Sequence, residues 1–140
     1  MRKTVLFGVL AAAAVMASAA QAQQVQFKAS LSGAQEVPPV QTQGTGAALV
    51  NADPKTGAVS WSVTYAGLSG PPAAAHIHCG AAQGANAGVA VNLGTKLTSP
   101  IQGTGQMTPA QMQELEGGKC YVNIHTATNK NGEIRGQLTR

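Results

Sequence analysis

"AVSWSVTYAG", residues 58–67, decides the fold class. Val59, Trp61, Val63 and Tyr65 alternate with Ser60, Ser62 and Thr64, so an extended chain here puts apolar side chains on one face and small polar ones on the other. One face is built for burial and the other for water. Just upstream, "NADPKTG" (51–57) concentrates turn formers and follows "GTGAALVN" (44–51), so residues 45–66 read as a hairpin.

The same alternation, punctuated by Gly, Pro, Asn and Asp, recurs on both sides of this hairpin. Further strands are expected at 25–31, 74–79, 89–93, 120–125 and 133–138, giving seven in all and implying an all-β sandwich or small barrel. One short helix is expected near 109–116 in "TPAQMQELEGG" (108–118). Thr108 can cap it, Pro109 suits its first position, Gln111 completes a capping-box spacing and Gly117 ends it. With few aromatic residues, the core must be filled mainly by Val, Leu, Ile and Ala. "GAAQGANAG" (80–88) lacks the pattern of a phosphate loop and reads as a connection.

The first 22 residues read as an export signal: Arg2 and Lys3, an apolar run from Val5 to Ala17, and the small-x-small site Ala20-Gln21-Ala22. That run is shorter than the about 20 apolar residues a membrane-spanning helix needs. The expected organisation is therefore a signal peptide at 1–22 and one domain at 23–140. The product should be periplasmic or secreted, with no transmembrane anchor after cleavage. Loss of Arg2 and Lys3 lowers the formal charge from the +4 of the whole chain to +2. The remaining cations are scattered singly, which speaks against nucleic acid as a partner.

Two cysteines, Cys79 and Cys120, fall in the exported part, where an oxidising environment favours a disulfide between them. A ligand role for the thiols is the alternative at this stage. Side-chain parity puts Ala75, Ile77 and Cys79 on one face of their strand and His76 and His78 on the other. It likewise separates Cys120, Val122 and Ile124 from Tyr121, Asn123 and His125. If a disulfide joins the two strands in antiparallel pairing, 76 lies opposite 123, and His125 comes to lie diagonal to His76. All three histidines of the chain then share one wet outer face. A following turn at "TNKNG" (128–132) brings Glu133 and Arg135 to that face, with Ile134 and Leu138 pointing inward.

Three imidazoles on one face suit copper or zinc, copper(II) being the tighter binder in general. The candidate metal ligands are His76, His78 and His125, with Glu133, Asn123 and Tyr121 as candidate partners behind them. Arg135 would oppose a bound cation unless a carboxylate pairs with it. No nucleophile elbow is visible, and Glu114 and Glu116 sit in the short helix as solvated surface. No enzymatic activity is expected.

Three blocks, "LSGAQEVPPVQTQGTGAA" (31–48), "AAAHIHCGAAQGANAGVAVNL" (73–93) and "CYVNIHTATNKNGEIRGQL" (120–138), resemble those of the CHRD domain, a module named from chordin and frequent in exported bacterial proteins. The resemblance implies a single antiparallel Greek-key β-sandwich, immunoglobulin-like or superoxide-dismutase-like, and does not supply a reaction. The family's recurrent histidines correspond to His76, His78 and His125, and its Glu-Val-Pro-Pro block to Glu36–Pro39, where a turn-capping or structural role beside Pro38 and Pro39 is expected for Glu36 and an outer-face ligand role is the alternative. Cys79 stands where the family pattern has Gly, and Cys120 just before Tyr-Val-Asn, which supports a disulfide particular to this chain. The H-x-H strand also resembles, more distantly, that of copper/zinc superoxide dismutases, but their bimetallic site draws on more histidines than the three present. The expected function is binding of a copper ion, with zinc as the alternative metal. A metal-free module recognising an unknown protein or surface partner is the alternative function.

Overall fold

The computed structural model describes residues 23–140, so the expected signal peptide lies outside the described residues. Eight strands follow one another as β1 (Val25–Ser32), β2 (Thr45–Ala52), β3 (Ala58–Ala66), β4 (Pro72–Cys79), β5 (Val89–Asn92), β6 (Ile101–Gln106), β7 (Cys120–Thr126) and β8 (Ile134–Gln137). Among the described residues one α-helix, α1 (Pro109–Glu116), precedes β7, and a single 3-10 turn covers Gly33–Gln35. All pairings are antiparallel, in the order β5-β4-β7-β8-β1-β2-β3-β6.

In β3 the alternation is realised as written: Val59, Trp61 and Val63 are buried, Tyr65 is half-buried and Thr64 is exposed. The turn before it is held by Asp53, whose Oδ1 accepts from the Lys55 amide at 2.9 Å. Gly57 closes that turn at φ 79°, a conformation a side chain would strain. The sheet curls so that its two four-stranded halves share one core. Val50 and Val63 from one half pack in the same cluster as Ile77 and Val122 from the other. The halves join where β8 meets β1, through Ser32 opposite Arg135 and a bridge between Lys28 and Thr139.

The eighth strand, β6, was not expected from the sequence. Its inward positions are Ile101, Gly103 and Gly105, and only the first carries an apolar side chain. Gly103 sits opposite Trp61, and a Cβ there would come within 2.6 Å of the indole. The glycines thus leave the room that Trp61 fills, which removes the hydrophobic alternation by which a strand is recognised. At Gly105 an added Cβ would lie 3.3 Å from Val91 of β5, so the two edges of the sheet approach each other and the sandwich nearly closes.

The helix follows the sequence closely. Thr108 accepts from the Gln111 amide at 3.2 Å, the Gln111 side chain accepts from the Thr108 amide at 2.9 Å, and Gly117 is the C-cap. Met112 and Leu115 anchor it to the core. Among the described residues no helix is long and apolar enough to cross a membrane.

One expectation is corrected. The outer face of β4, β7 and β8 is polar but not wet: Glu133 and Arg135 are fully buried, and Asn123 and His78 are 3% and 8% exposed. The connections 33–44 and 80–88 fold over that face and join each other through Asn86, which donates to the Val37 carbonyl at 2.9 Å. Arg135 donates from beneath to Asn86 Oδ1 at 3.1 Å and to the Ala85 carbonyl at 2.8 Å, and Gln137 donates to the Ala81 carbonyl at 2.9 Å. The reason is the obligation of buried polar groups to find partners. Backbone carbonyls in a loop supply acceptors that composition does not advertise.

Candidate metal centre

The site is positioned by a covalent bond and a register. Cys79 and Cys120 form a disulfide of 2.03 Å, which closes the thiol-ligand alternative, and they are paired directly across β4 and β7. From that pair the register runs His78 to Tyr121, Ile77 to Val122, His76 to Asn123 and Ala74 to His125, an irregularity appearing only beyond Ala74. His125 therefore lies diagonal to His76, one step along the same face. The β7–β8 register sets Asn123 opposite Arg135 and Tyr121 opposite Gln137, as the turn length predicts.

The three rings converge. His76 Nδ1 lies 3.1 Å from His125 Nε2, and the ring centroids are 4.9 Å apart for His76 and His125, 5.5 Å for His76 and His78, and 6.4 Å for His78 and His125. One ligand nitrogen from each ring can be chosen so that all three lie within 4.8 Å of one another. His78 is the buried member, while His76 and His125 are partly exposed at the rim.

Hydrogen bonds fix which nitrogen faces inward. His125 Nδ1 lies 2.9 Å from the Lys130 carbonyl, which can only accept, so Nδ1 carries a proton; in the neutral ring Nε2 then accepts a hydrogen bond from His76 Nδ1, whose proton a bound ion would replace. His78 Nδ1 lies 2.8 Å from the Ala87 carbonyl, which by the same reasoning leaves Nε2 as the free nitrogen of a neutral ring. That Nε2 faces Asn123 Oδ1 at 3.1 Å, an arrangement that satisfies an imidazolium. A neutral ring is satisfied when the amide turns over and donates instead.

Burial holds the His76 imidazole below its ordinary pKa, helped by repulsion from His125 and His78. His78 is also held low, first by burial, against which its bonds to Ala87 and Asn123 work, with His125 and Arg135 adding repulsion. Both shifts favour neutral rings near neutral pH, the form in which imidazole binds a metal.

Behind the histidines stands a stacked column. Tyr121 lies face to face with His78, with centroids 4.8 Å apart and planes 3° from parallel, and the Arg135 guanidinium carbon sits 3.4 Å from the centre of the Tyr121 ring. The Tyr121 hydroxyl accepts from the Ala87 amide at 3.1 Å and donates to its carbonyl at 3.2 Å. The expected contacts of Asn123 and Tyr121 with the cluster are thus present. Glu133 is engaged elsewhere: it accepts from the Thr42 hydroxyl at 2.6 Å and from the Ser69 amide and hydroxyl at 2.9 Å each. Burial alone would push its carboxyl up, but bonds from Thr42, Ser69 and Thr126 outweigh it and hold the pKa down. Glu133 thereby ties the connections around Thr42 and Ser69 to the sheet.

Sequence reading placed Glu36 in a turn and missed its depth. Glu36 is 5% exposed, and burial pushes its carboxyl up to about 7 against the opposing pull of Arg135 and Asn123. It meets Asn123 over Gly132: a Cβ at Gly132, where φ is 123°, would collide with Glu36 Oε1 and lie 2.7 Å from Asn123 Nδ2. The signal in the sequence was the glycine before Glu133, where the backbone must clear two side chains.

Fold and site together define an all-β domain of antiparallel strands that gathers three imidazoles near a buried guanidinium. Residues 27–138 match the CHRD domain, and the chain belongs to the CHRD domain family. No curated protein and no solved structure matches it.

Proposed function

We propose that this CHRD domain is an exported binding protein, not an enzyme, which holds a copper ion through His76, His78 and His125 in metal storage, delivery or buffering. The observation that carries this reading is the 3.1 Å between His76 Nδ1 and His125 Nε2. Two nitrogens side by side on one ion, with bonds of about 2.0–2.1 Å, lie about 2.8–3.4 Å apart. His78 has to approach by only on the order of 1 Å to complete a three-nitrogen site, judged against the same bond lengths. The carbonyls of Lys130 and Ala87 supply the outer hydrogen bonds that fix a ligand histidine's tautomer. Zinc accepts the same donors. Export is supported by the leader-like first 22 residues and by the disulfide.

The test is titration of the domain, residues 23–140, with copper(II) and zinc(II), in the wild type and in His76→Ala and His125→Ala. The expected result is one ion per chain with affinity better than micromolar, falling about a hundredfold in each variant, which corresponds to about 2.7 kcal/mol. Equal, micromolar-or-weaker uptake by all three proteins would reject the metal reading. The domain would then be a metal-free module that recognises a protein or surface partner.

A further inference from the structure

Resting on that metal site, we propose that the ion it selects is copper(I) rather than copper(II) or zinc(II). The argument is one of charge. All three donors are imidazoles, and among the described residues no carboxylate belongs to the cluster. Glu133 is committed to Thr42 and Ser69, and Glu36 stands behind Asn123. A bound ion therefore keeps its whole charge.

The surroundings penalise that charge. Arg135 is fully buried and belongs to neither ion pair among the described residues, Lys119 with Glu114 and Arg140 with Glu116; Glu36 attracts it but forms no direct ion pair with it. Its two terminal nitrogens donate to neutral acceptors, Asn86, Ala85 and Gln137, its Nε is left without a partner, and its positive charge stacks on Tyr121, which in turn stacks on His78. A permanent cation thus lies one aromatic ring behind a ligand. Repulsion from it grows in proportion to the ion's charge, and the cost of withdrawing the ion from water grows with the square of that charge. A doubly charged ion faces twice the first penalty and four times the second. Donor number points the same way. Copper(I) is content with three nitrogens alone, whereas zinc(II) on three imidazoles must also hold a water as its fourth ligand, because no fourth His, Cys, Asp or Glu side chain joins this group among the described residues.

The experiment compares affinities for the separate ions on the wild-type domain. Copper(I) is titrated without oxygen against a chromogenic copper(I) chelator, and copper(II) and zinc(II) against chelators of known affinity. The expected result is copper(I) bound at least tenfold more tightly than either divalent ion. Asn123→Asp places a carboxylate at the position that touches His78, and it should narrow the preference at least threefold by strengthening copper(II) binding. Divalent ions bound as tightly as copper(I), with uptake still lost in His76→Ala, would overturn this inference and leave the metal site standing. An unchanged ratio in Asn123→Asp would overturn its electrostatic basis. Failure of every ion to bind would sink the site itself.

Discussion

Burying Glu36 beside Asn123 leaves its Oε1 without a hydrogen-bond donor, and that one atom has a thermodynamic consequence. A carboxyl at about 7 in the folded chain against 4.5 in the unfolded one binds its proton more tightly when folded. Its contribution to stability is therefore complete below pH 4.5 and is lost as the pH rises through about 7. Glu36→Gln keeps the shape and removes the charge. At pH 8 it should be more stable than the wild type by about 2 kcal/mol, after allowance for solvent screening, and at pH 4.5 the two should be nearly equal. Urea unfolding at the two pH values reads this directly, and equal curves at pH 8 would contradict it. Among single residues, parity sufficed to bring His76, His78 and His125 to one face, because side-chain direction in a strand is set by geometry alone. Depth was not legible in the same way. Glu36, Arg135 and Glu133 look like surface residues in the sequence because only the folded loops decide that they are covered.

Elements differed in how openly the sequence declared them. The capped helix and the hairpin at 45–66 carry local chemistry, Thr108 with Gln111 and Asp53 with Gly57, and both form where expected. In β6 the local signal is absent because Trp61 supplies from the neighbouring strand the bulk that Gly103 and Gly105 lack. The connection 80–88 reads as a simple link, yet its carbonyls accept from Arg135, Gln137 and His78. The β4–β7 ladder was readable to the residue once Cys79 and Cys120 were joined, since one cross-strand bond fixes every later pair. That bond spans a sequence separation of 41 and lies next to His78. Replacing both cysteines by serine should cost about 2–4 kcal/mol in denaturant unfolding. The variant should also bind copper more weakly than the wild type under conditions where both are folded, as the end of the ladder beside His78 loosens. Undiminished copper affinity in the folded variant would mean that the hydrogen-bonded register alone holds the ligands.

At the scale of the molecule, two opposed titrations meet in one pH window. His76 and His78 are held below 6.5 in the folded chain, so on acidification the unfolded chain takes up protons first, and stability falls as the pH drops below 6.5. Glu36 acts in the reverse sense between 4.5 and about 7. The two slopes partly cancel, and the metal-free wild type should vary little in Tm across this range. Glu36→Gln, with its opposing slope removed, should rise steadily toward neutral pH. Copper breaks the balance, because an ion on the imidazoles excludes protons from the folded state altogether. At a free-ion concentration a hundred times Kd, binding adds about 2.7 kcal/mol at pH 7.5, which for a domain of this size raises Tm by roughly 10 °C. That increment should shrink as the pH falls through the depressed range of the two histidines and disappear once protons displace the ion. Differential scanning fluorimetry with and without copper, from pH 4.5 to 7.5, measures the difference. An increment that stayed constant down to pH 4.5 would show that the ion sits on groups other than these imidazoles.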